Sequence, residues 1–506
     1  MNYKQIEDLV ISGRAGTSQA VHAREIAALI ESFGCNDRMA KSLGHRDIFE
    51  YASVLVADFQ PDPTPALKRN PGRLVVRHEL KCAARKLSQS LAYAIPWFAL
   101  ALVEYLRPNV LNVSPRLGAC LSLSLMASLV LTGGFIQTIT RTGTFYRGLG
   151  QPALAYYMCT QLLNLGLTCS LALSLTGIVL GFYFHLFTSV YLLMAAVNCV
   201  VLSLLWLLCA ILFVQGKGWA VPLIYLIAAF ISVIVQHFTR SGTTLLLMLW
   251  PMMAVSCAFL FSRRHPSQAS EFEEVVTRPR PGVLSISLVP FFLYGTVYFS
   301  FLFADRIAAG SAIPWVSGLS FGIDPSYKHG MDIVLLAFLV TAALVEYMAD
   351  SMLRYWYQLA ADLPVTATAQ LIARLRCRRL FTMLAVSVVF IMLACGAWYA
   401  FSKLTGFPPS SRLIETASLG GVGYLLLCIA LVEIVILASV NATSTALKAV
   451  SQGLAVNVIV GYTFAHIWGV QYAAAGLLCG SIVALWKCSA AVGKILQSPD
   501  FHYSIA

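Results

Sequence analysis

Charged residues are scarce in this 506-residue chain, because Asp, Glu, Lys and Arg together make up only 11% of it. A soluble domain is about 25% charged and about 45–50% apolar, whereas 58% of this chain is hydrophobic. The composition therefore argues against a large soluble enzyme, and the high hydrophobicity argues against intrinsic disorder. What remains is a polytopic membrane protein.

Motifs that carry catalysis or metal binding are also scarce. The chain contains no Walker A sequence and no H-E-x-x-H, and its 13 cysteines include no C-x-x-C pair. We interpret most cysteines as small core hydrophobes. These absences predict a protein that is not an enzyme and that has no cofactor and no metal site.

The basic residues that give the net charge of +12 lie beside apolar runs. This arrangement is typical of the positive-inside bias of membrane proteins. It predicts contact with membrane lipid, and no nucleic acid as a partner.

The first 66 residues read as a small cytoplasmic helical module. Asp47 has the position and chemistry of a helix N-cap before IFEYASVLVADF. The proline-rich stretch 60–65 ends the module, and a basic juxtamembrane linker follows over 67–87.

Runs of about 20 apolar residues, the length that a bilayer requires, recur along the rest of the chain. The predicted spans are 88–106, 117–139, 153–180, 189–214, 219–237, 243–261, 283–303, 332–352, 379–401, 416–438, 444–466 and 471–493.

If the N-terminus is cytoplasmic, the connections on that side carry about three times as many Lys and Arg residues as the connections on the other side. This bias predicts cytoplasmic termini. The charged stretch 262–282 divides the spans into a first six-helix bundle over 88–261 and a second over 283–506. The predicted fold class is thus an all-α polytopic membrane protein with about 12 transmembrane helices in two bundles, a common design in transporters.

Charged side chains within spans are costly, and they usually face water or protein. Glu346, Asp350 and Arg354 are spaced i, i+4, i+8, which places them on one helix face. This face reads as the wall of a hydrated substrate cavity, or as a structural ion pair near the interface.

Asp305 and Arg306 follow the seventh span, at the start of a predicted external loop over 304–331. They read as a pair at the mouth of the same substrate cavity, or as an interfacial pair that ends the span. For Glu433 and Lys448, in two later spans, pairing with each other is the simplest hypothesis.

Arg141 and Arg147 lie in the basic connection after the second span. Arginine suits bidentate contact with a diphosphate headgroup, although topology setting explains both residues as well. Glu104 lies near the end of the first span and either belongs to the same headgroup-binding region or extends toward interfacial water.

Two stretches resemble a known family. The C-terminal AVNVIVGYTFAHIWGVQYAAAGLLCGSIVALWKCSAAV (455–492) resembles the polysaccharide flippases of the MOP superfamily, the multidrug/oligosaccharidyl-lipid/polysaccharide exporters. PFFLYGTVYFSFLFADRIAAGS (290–311), followed by ALVEYMADSMLRY, resembles the Pel-type exopolysaccharide transporters, in which an aromatic-rich span ends in an Asp–basic pair.

The resemblance implies a V-shaped cavity lined by the first, second, seventh and eighth spans. It also implies alternating access and export of a polysaccharide or lipid-linked oligosaccharide across the bacterial cytoplasmic (inner) membrane. Two other functions remain open at this point: a membrane-embedded glycan ligase or polymerase, and a scaffold whose N-terminal module recruits a cytoplasmic glycosyltransferase.

Overall fold

The computed structural model describes residues 37–58, 115–184, 187–239, 243–263, 281–313, 322–362, 368–405, 410–440 and 442–497. All regular secondary structure in these ranges is helical. The chain forms two compact units, Met1–His78 and Glu79–Ala506. The predicted first span 88–106 and Glu104 lie outside the described residues.

The first unit contains two short helices, α1 (Asp37–Ser42) and α2 (Ile48–Asp58). Asp47 caps α2 as its position predicts, because its carboxylate accepts a hydrogen bond from the backbone N–H of Glu50 at 2.8 Å. Asp37 accepts a second bond from the backbone N–H of Ile48 at 3.2 Å, which joins the start of α1 to the start of α2.

Five helices in the described part of the second unit belong to its first lobe. They are α3 (Pro115–Gly148), α4 (Pro152–Tyr183), α5 (Ser189–Val214), α6 (Ala220–Thr239) and α7 (Thr243–Arg263). Helix α5 is the most buried of these helices, and its Trp206 is fully enclosed. The Trp206 indole donates to the Ser128 hydroxyl at 3.2 Å, and Asn198 donates to Ser124 at 2.8 Å, so that paired polar groups fix α5 against α3.

Six helices lie in the described part of the second lobe, with a 3₁₀ turn at Val470–Tyr472 before the last of them. They are α8 (Pro281–Ser311), α9 (Pro325–Asp362), α10 (Thr368–Thr405), α11 (Ser411–Ser439), α12 (Thr443–Trp468) and α13 (Ala473–Ile495). Helices α12 and α13 pack at backbone contact, since a Cβ on Gly476 would lie 2.4 Å from the carbonyl oxygen of Asn457. The Asn457 amide donates to the Phe301 carbonyl at 3.0 Å and so attaches α8 to this pair.

Within the described ranges, nine helical segments are long and apolar enough to cross a membrane, and Ala220–Val235 and Trp250–Ser262 are shorter apolar segments. In both α4 and α10 only 17% of the most apolar 18-residue window is buried inside the protein. The rest is the apolar surface that a helix presents to lipid. The chain is therefore a multi-pass membrane protein, and each predicted span from 117–139 onward lies on these helices.

The structure corrects the predicted external loop over 304–331. Helix α8 continues to Ser311, and α9 already begins at Pro325. Asp305 and Arg306 are thus helical residues, because Ala304, Ala308 and their neighbours extend the apolar packing surface beyond the predicted end of the span. The domain boundaries predicted from the sequence stay a prediction.

Candidate functional site between and within the two lobes

The two lobes meet where α3 crosses α8. A Cβ added to Gly295 would lie 2.3 Å from the carbonyl oxygen of Gly133, and one added to Gly134 would lie 2.6 Å from the carbonyl oxygen of Phe292. The Phe135 and Phe292 rings meet edge to face, with centroids 4.9 Å apart. We call this contact the α3–α8 seam; it consists of Gly133, Gly134, Phe135, Phe292, Gly295 and Phe299.

A cluster of charged and hydroxyl side chains lies inside the second lobe, between α8 and α9. The Arg306 guanidinium donates to the Asp332 carboxylate at 2.7 Å. The Tyr327 hydroxyl donates to Asp305 at 2.7 Å. Tyr424 of α11, which is fully buried, lies near the same charges. The cluster thus joins α8 to α9, with α11 beside them.

Burial makes the charge balance of this cluster important. Asp305 is 0% exposed, and Arg306 and Asp332 are 7% and 6% exposed. Arg306 pairs with Asp332, whereas Asp305 bonds to a tyrosine hydroxyl, so ionisation of both acids would leave the cluster with one excess negative charge. The Oδ1 atom of Asp305 has no hydrogen-bond partner among the side chains and backbone that the structure describes. An uncompensated charge in such surroundings costs several kcal/mol.

The sequence predicted Asp305 and Arg306 at the mouth of a cavity. In this conformation both side chains instead face the interior of the second lobe. Sequence reasoning missed their partners Asp332 and Tyr327. The available signal was an acid at the first residue of the predicted span 332–352, on the same predicted side of the membrane as the end of the seventh span.

The charged face of α9 lies further along that helix. Asp350 and Arg354 form an i, i+4 ion pair at 3.9 Å, with side chains 38% and 44% exposed. The guanidinium also lies 6.0 Å from the centre of the Tyr347 ring, and Glu346 is exposed on the same helix. This stretch of α9 combines both signs of charge with an aromatic ring, and the place of its three charged residues in a substrate cavity stays a prediction.

A second buried ion pair connects α10, α11 and α13. Arg379 donates from Nε to Glu433 at 2.7 Å, and from Nη2 to the Ser489 hydroxyl at 2.6 Å. The hypothesis that Glu433 pairs with Lys448 is wrong, because Glu433 is fully buried against Arg379 whereas Lys448 is exposed. This pair fixes the packing of the second lobe.

The two arginines of the connection after the second span lie on α3. Arg141 is exposed, and its guanidinium lies over the Phe291 ring of α8, 5.3 Å from the ring centre. Arg147 donates to the carbonyl oxygen of Val214 at the end of α5. Arg141 therefore touches the opposite lobe, whereas Arg147 serves packing within its own lobe.

Among the described residues, no group of three or more His, Cys, Asp or Glu side chains is arranged to hold a metal ion. The buried thiols of Cys159, Cys209, Cys428 and Cys488 lie in the hydrophobic core. This placement agrees with their interpretation as core hydrophobes.

Solved transporters share this architecture. A crystal structure of a mutant of the Vibrio cholerae MATE transporter VcmN matches 85% of this chain and 98% of that one, with a TM-score of 0.56 and 14% identity. The chain therefore has the fold of the MATE transporters of the MOP superfamily. The fold class predicted from the sequence is confirmed.

Two further structures represent an outward-facing and an inward-facing conformation of a multidrug resistance MATE family transporter. They match 82% of this chain, and 96% and 98% of their own chains, with TM-scores of 0.54 and 0.52 and 13% identity in both cases. No family model matches the chain, and no curated protein matches it by sequence. At this level of identity the likeness shows the fold.

Proposed function

We propose that this protein is a transporter that moves a polar glycan across the bacterial cytoplasmic membrane by alternating access. The observation that carries the proposal is the pair of helical lobes joined at the α3–α8 seam, in the fold of the MATE transporters. Two lobes around a central passage suit rocking motion. The inward- and outward-facing forms of a transporter with this fold support the same mechanism.

The proposed cargo is a polysaccharide or lipid-linked oligosaccharide, as in the polysaccharide flippases and the Pel-type transporters that the sequence resembles. The charged and aromatic face of α9 supports a polar cargo. Glu346, Asp350 and Arg354 present both signs of charge, and the Tyr347 ring offers a flat apolar surface. A sugar has hydroxyl groups that can hydrogen-bond to the charged side chains, and apolar ring faces that can pack on the aromatic ring.

We assign Asp305 and Arg306 to the same transport machinery. Both are buried in the described conformation, so they would act by biasing the equilibrium between conformations of the second lobe. A ligand or a change in charge shifts such an equilibrium only by its different free energy in the two states. A change in the ionisation of the buried Asp305 between the two states would provide such a difference.

Export by living cells tests these assignments. Glu346→Ala and Asp305→Ala should each reduce glycan export at least about tenfold, a loss of about 1.4 kcal/mol or more, while the protein remains in the membrane at parental levels. Lys448→Ala is the matched control, because Lys448 is also a charged residue within a span, but its side chain faces away from the protein interior. Normal export by both acid variants would remove the site assignment.

A drug-like cargo is the second candidate, because the compared transporter is named as a multidrug resistance protein. Uptake assays on the protein reconstituted in vesicles distinguish the two cargoes. Uptake of a labelled oligosaccharide, without uptake of a lipophilic organic cation, supports the glycan. The reverse result supports the drug-like cargo. Formation of glycosidic bonds in the same vesicles would support the ligase or polymerase instead.

The scaffold function needs a different experiment. We propose that residues 1–66 are a cytoplasmic module that contacts a glycosyltransferase, with both termini on the cytoplasmic side. Deletion of these residues should abolish co-purification of the enzyme while the remaining protein still transports. Transport lost together with binding would instead make the module part of the transporter itself.

A further inference from the structure

We infer that Arg141 and Phe291 form a latch between the lobes, which holds the α3–α8 seam closed at the end where α3 finishes and α8 starts. The inference rests on the proposed function, because it specifies how one side of the passage is shut. The charge pattern predicts that this is the cytoplasmic side.

The direction of the contacts places the latch at this end. From Gly133 to Arg141, α3 runs toward its C-terminus at Gly148. The contacted residues of α8 run the opposite way, from Phe299 down to Phe291, toward its N-terminus at Pro281. The two helices are therefore antiparallel, and of the contacts named here Arg141–Phe291 lies nearest to their shared end.

The other half of α8 is held by its own lobe. A Cβ on Gly453 of α12 would lie 3.0 Å from the Phe301 ring, and one on Gly461 would lie 3.7 Å from Ala308. Helix α8 thus belongs to the second lobe at one end and touches the first lobe near the other. A rotation of the lobes that opens the shared end must break the seam there.

The contacts of the seam differ in how much extra side-chain volume they accept. Backbone meets backbone at Gly133 and Gly295, so any side chain at position 295 forces the helices apart. The three nearest atoms to a Cβ on Gly295 all belong to Gly133 and Gln137 of the opposite lobe. A larger residue at position 295 therefore meets the opposite lobe first and opposes closure.

Arg141 adds an adjustable contribution to closure. A guanidinium over an aromatic ring at an exposed site is a weak attraction that breaks at modest cost. Loss of the guanidinium should therefore change the ratio of closed to open protein about two- to fivefold. A contact of that size can hold a side shut and still be broken in each transport cycle.

Disulfide trapping tests the latch in the full-length protein in lipid nanodiscs. Cysteines at positions 135 and 292, where the two rings now touch, should form a cross-link that peptide mass spectrometry identifies among the native thiols. In this background Gly295→Val should lower the cross-linking rate more than about tenfold, and Arg141→Gln about two- to fivefold. Gly177→Ala is the matched control, because a Cβ there has no atom within 4 Å.

A cross-linking rate that Gly295→Val leaves unchanged would overturn the latch, as would absence of the cross-link in the parental background. Arg141→Gln alters one exposed side chain, so an unchanged cross-linking rate in this variant overturns the latch even if the valine variant does not fold. If the seam opens as expected but the parental protein moves no glycan, the latch is supported and the proposed function is contradicted.

Discussion

The buried pair Arg379–Glu433 provides the sharpest test of the packing of the second lobe. Glu433 is 0% exposed, and the Arg379 side chain, 14% exposed, also donates to the hydroxyl and to the carbonyl oxygen of Ser489. Removal of one partner from such a pair leaves a buried charge and costs about 3–5 kcal/mol. We therefore expect Glu433→Leu and Arg379→Met each to lower the free energy of unfolding by about 3 kcal/mol.

The double variant Arg379→Met/Glu433→Leu removes both charges together. It should lose about 3–4 kcal/mol, against about 6 kcal/mol for the two single variants together, which is a coupling energy of about 2–3 kcal/mol. The reason is that each single variant leaves one buried charge unpaired, whereas the double variant leaves none. Equilibrium unfolding of purified protein in detergent micelles measures all four corners of the cycle.

The same lobe supplies the control. Asp350 and Arg354 are 3.9 Å apart and more than a third exposed, so their coupling should be about 0–1 kcal/mol. If the two cycles give equal coupling energies, burial does not set the strength of these pairs, and the packing argument is refuted.

Two further predictions concern charge balance and backbone contact. Asp332→Asn should destabilise the protein by about 3 kcal/mol, because Arg306 loses its ion-pair partner. Asp305→Asn should leave the melting temperature unchanged or raise it, since Asp305 is a buried acid that bonds to the Tyr327 hydroxyl and not to a base. The opposite order in thermal unfolding would contradict these roles. Gly476→Ala should sharply reduce the yield of folded protein, because its Cβ would lie 2.4 Å from a backbone oxygen of α12. Gly396→Ala, whose Cβ would have no atom within 4 Å, should be neutral or slightly stabilising. Equal yields of the two variants in size-exclusion chromatography would refute the close packing.

Most of the fold follows from patterns that lie close together in the sequence. Apolar run length predicts the helices from α3 onward, since a bilayer demands that length whatever the packing. The i, i+4 spacing predicts the Asp350–Arg354 pair, because both partners lie on one helix. The Asp47 cap is equally local.

The partners of the buried charges are different, because they are separated in the sequence and meet only when the lobe packs. Glu433 pairs with Arg379, which lies 54 positions away, and not with Lys448 on the next helix. The orientation of α12 about its own axis explains the difference, because it places Lys448 on the exposed face of that helix. Arg306 and Asp332 are 26 positions apart. Their pairing was not predicted because Arg306 was assigned to the external loop, whose two ends in fact belong to α8 and α9.

The α3–α8 seam could not be predicted from single residues, since glycines and phenylalanines are common in membrane helices. Its significance arises from reciprocal contact, in which Gly295 meets the backbone at Gly133. A sequence pattern on one helix does not specify which glycine of another helix it will meet.

Flux through purified protein tests the central claim most directly. Liposomes that contain the parental protein and a fluorescently labelled oligosaccharide should release it faster than protein-free liposomes. Cross-linking of the α3–α8 seam should stop the release, and reduction of the disulfide should restore it. Release at the protein-free rate before cross-linking, or release that continues unchanged after it, would contradict transport by two lobes that separate at this seam.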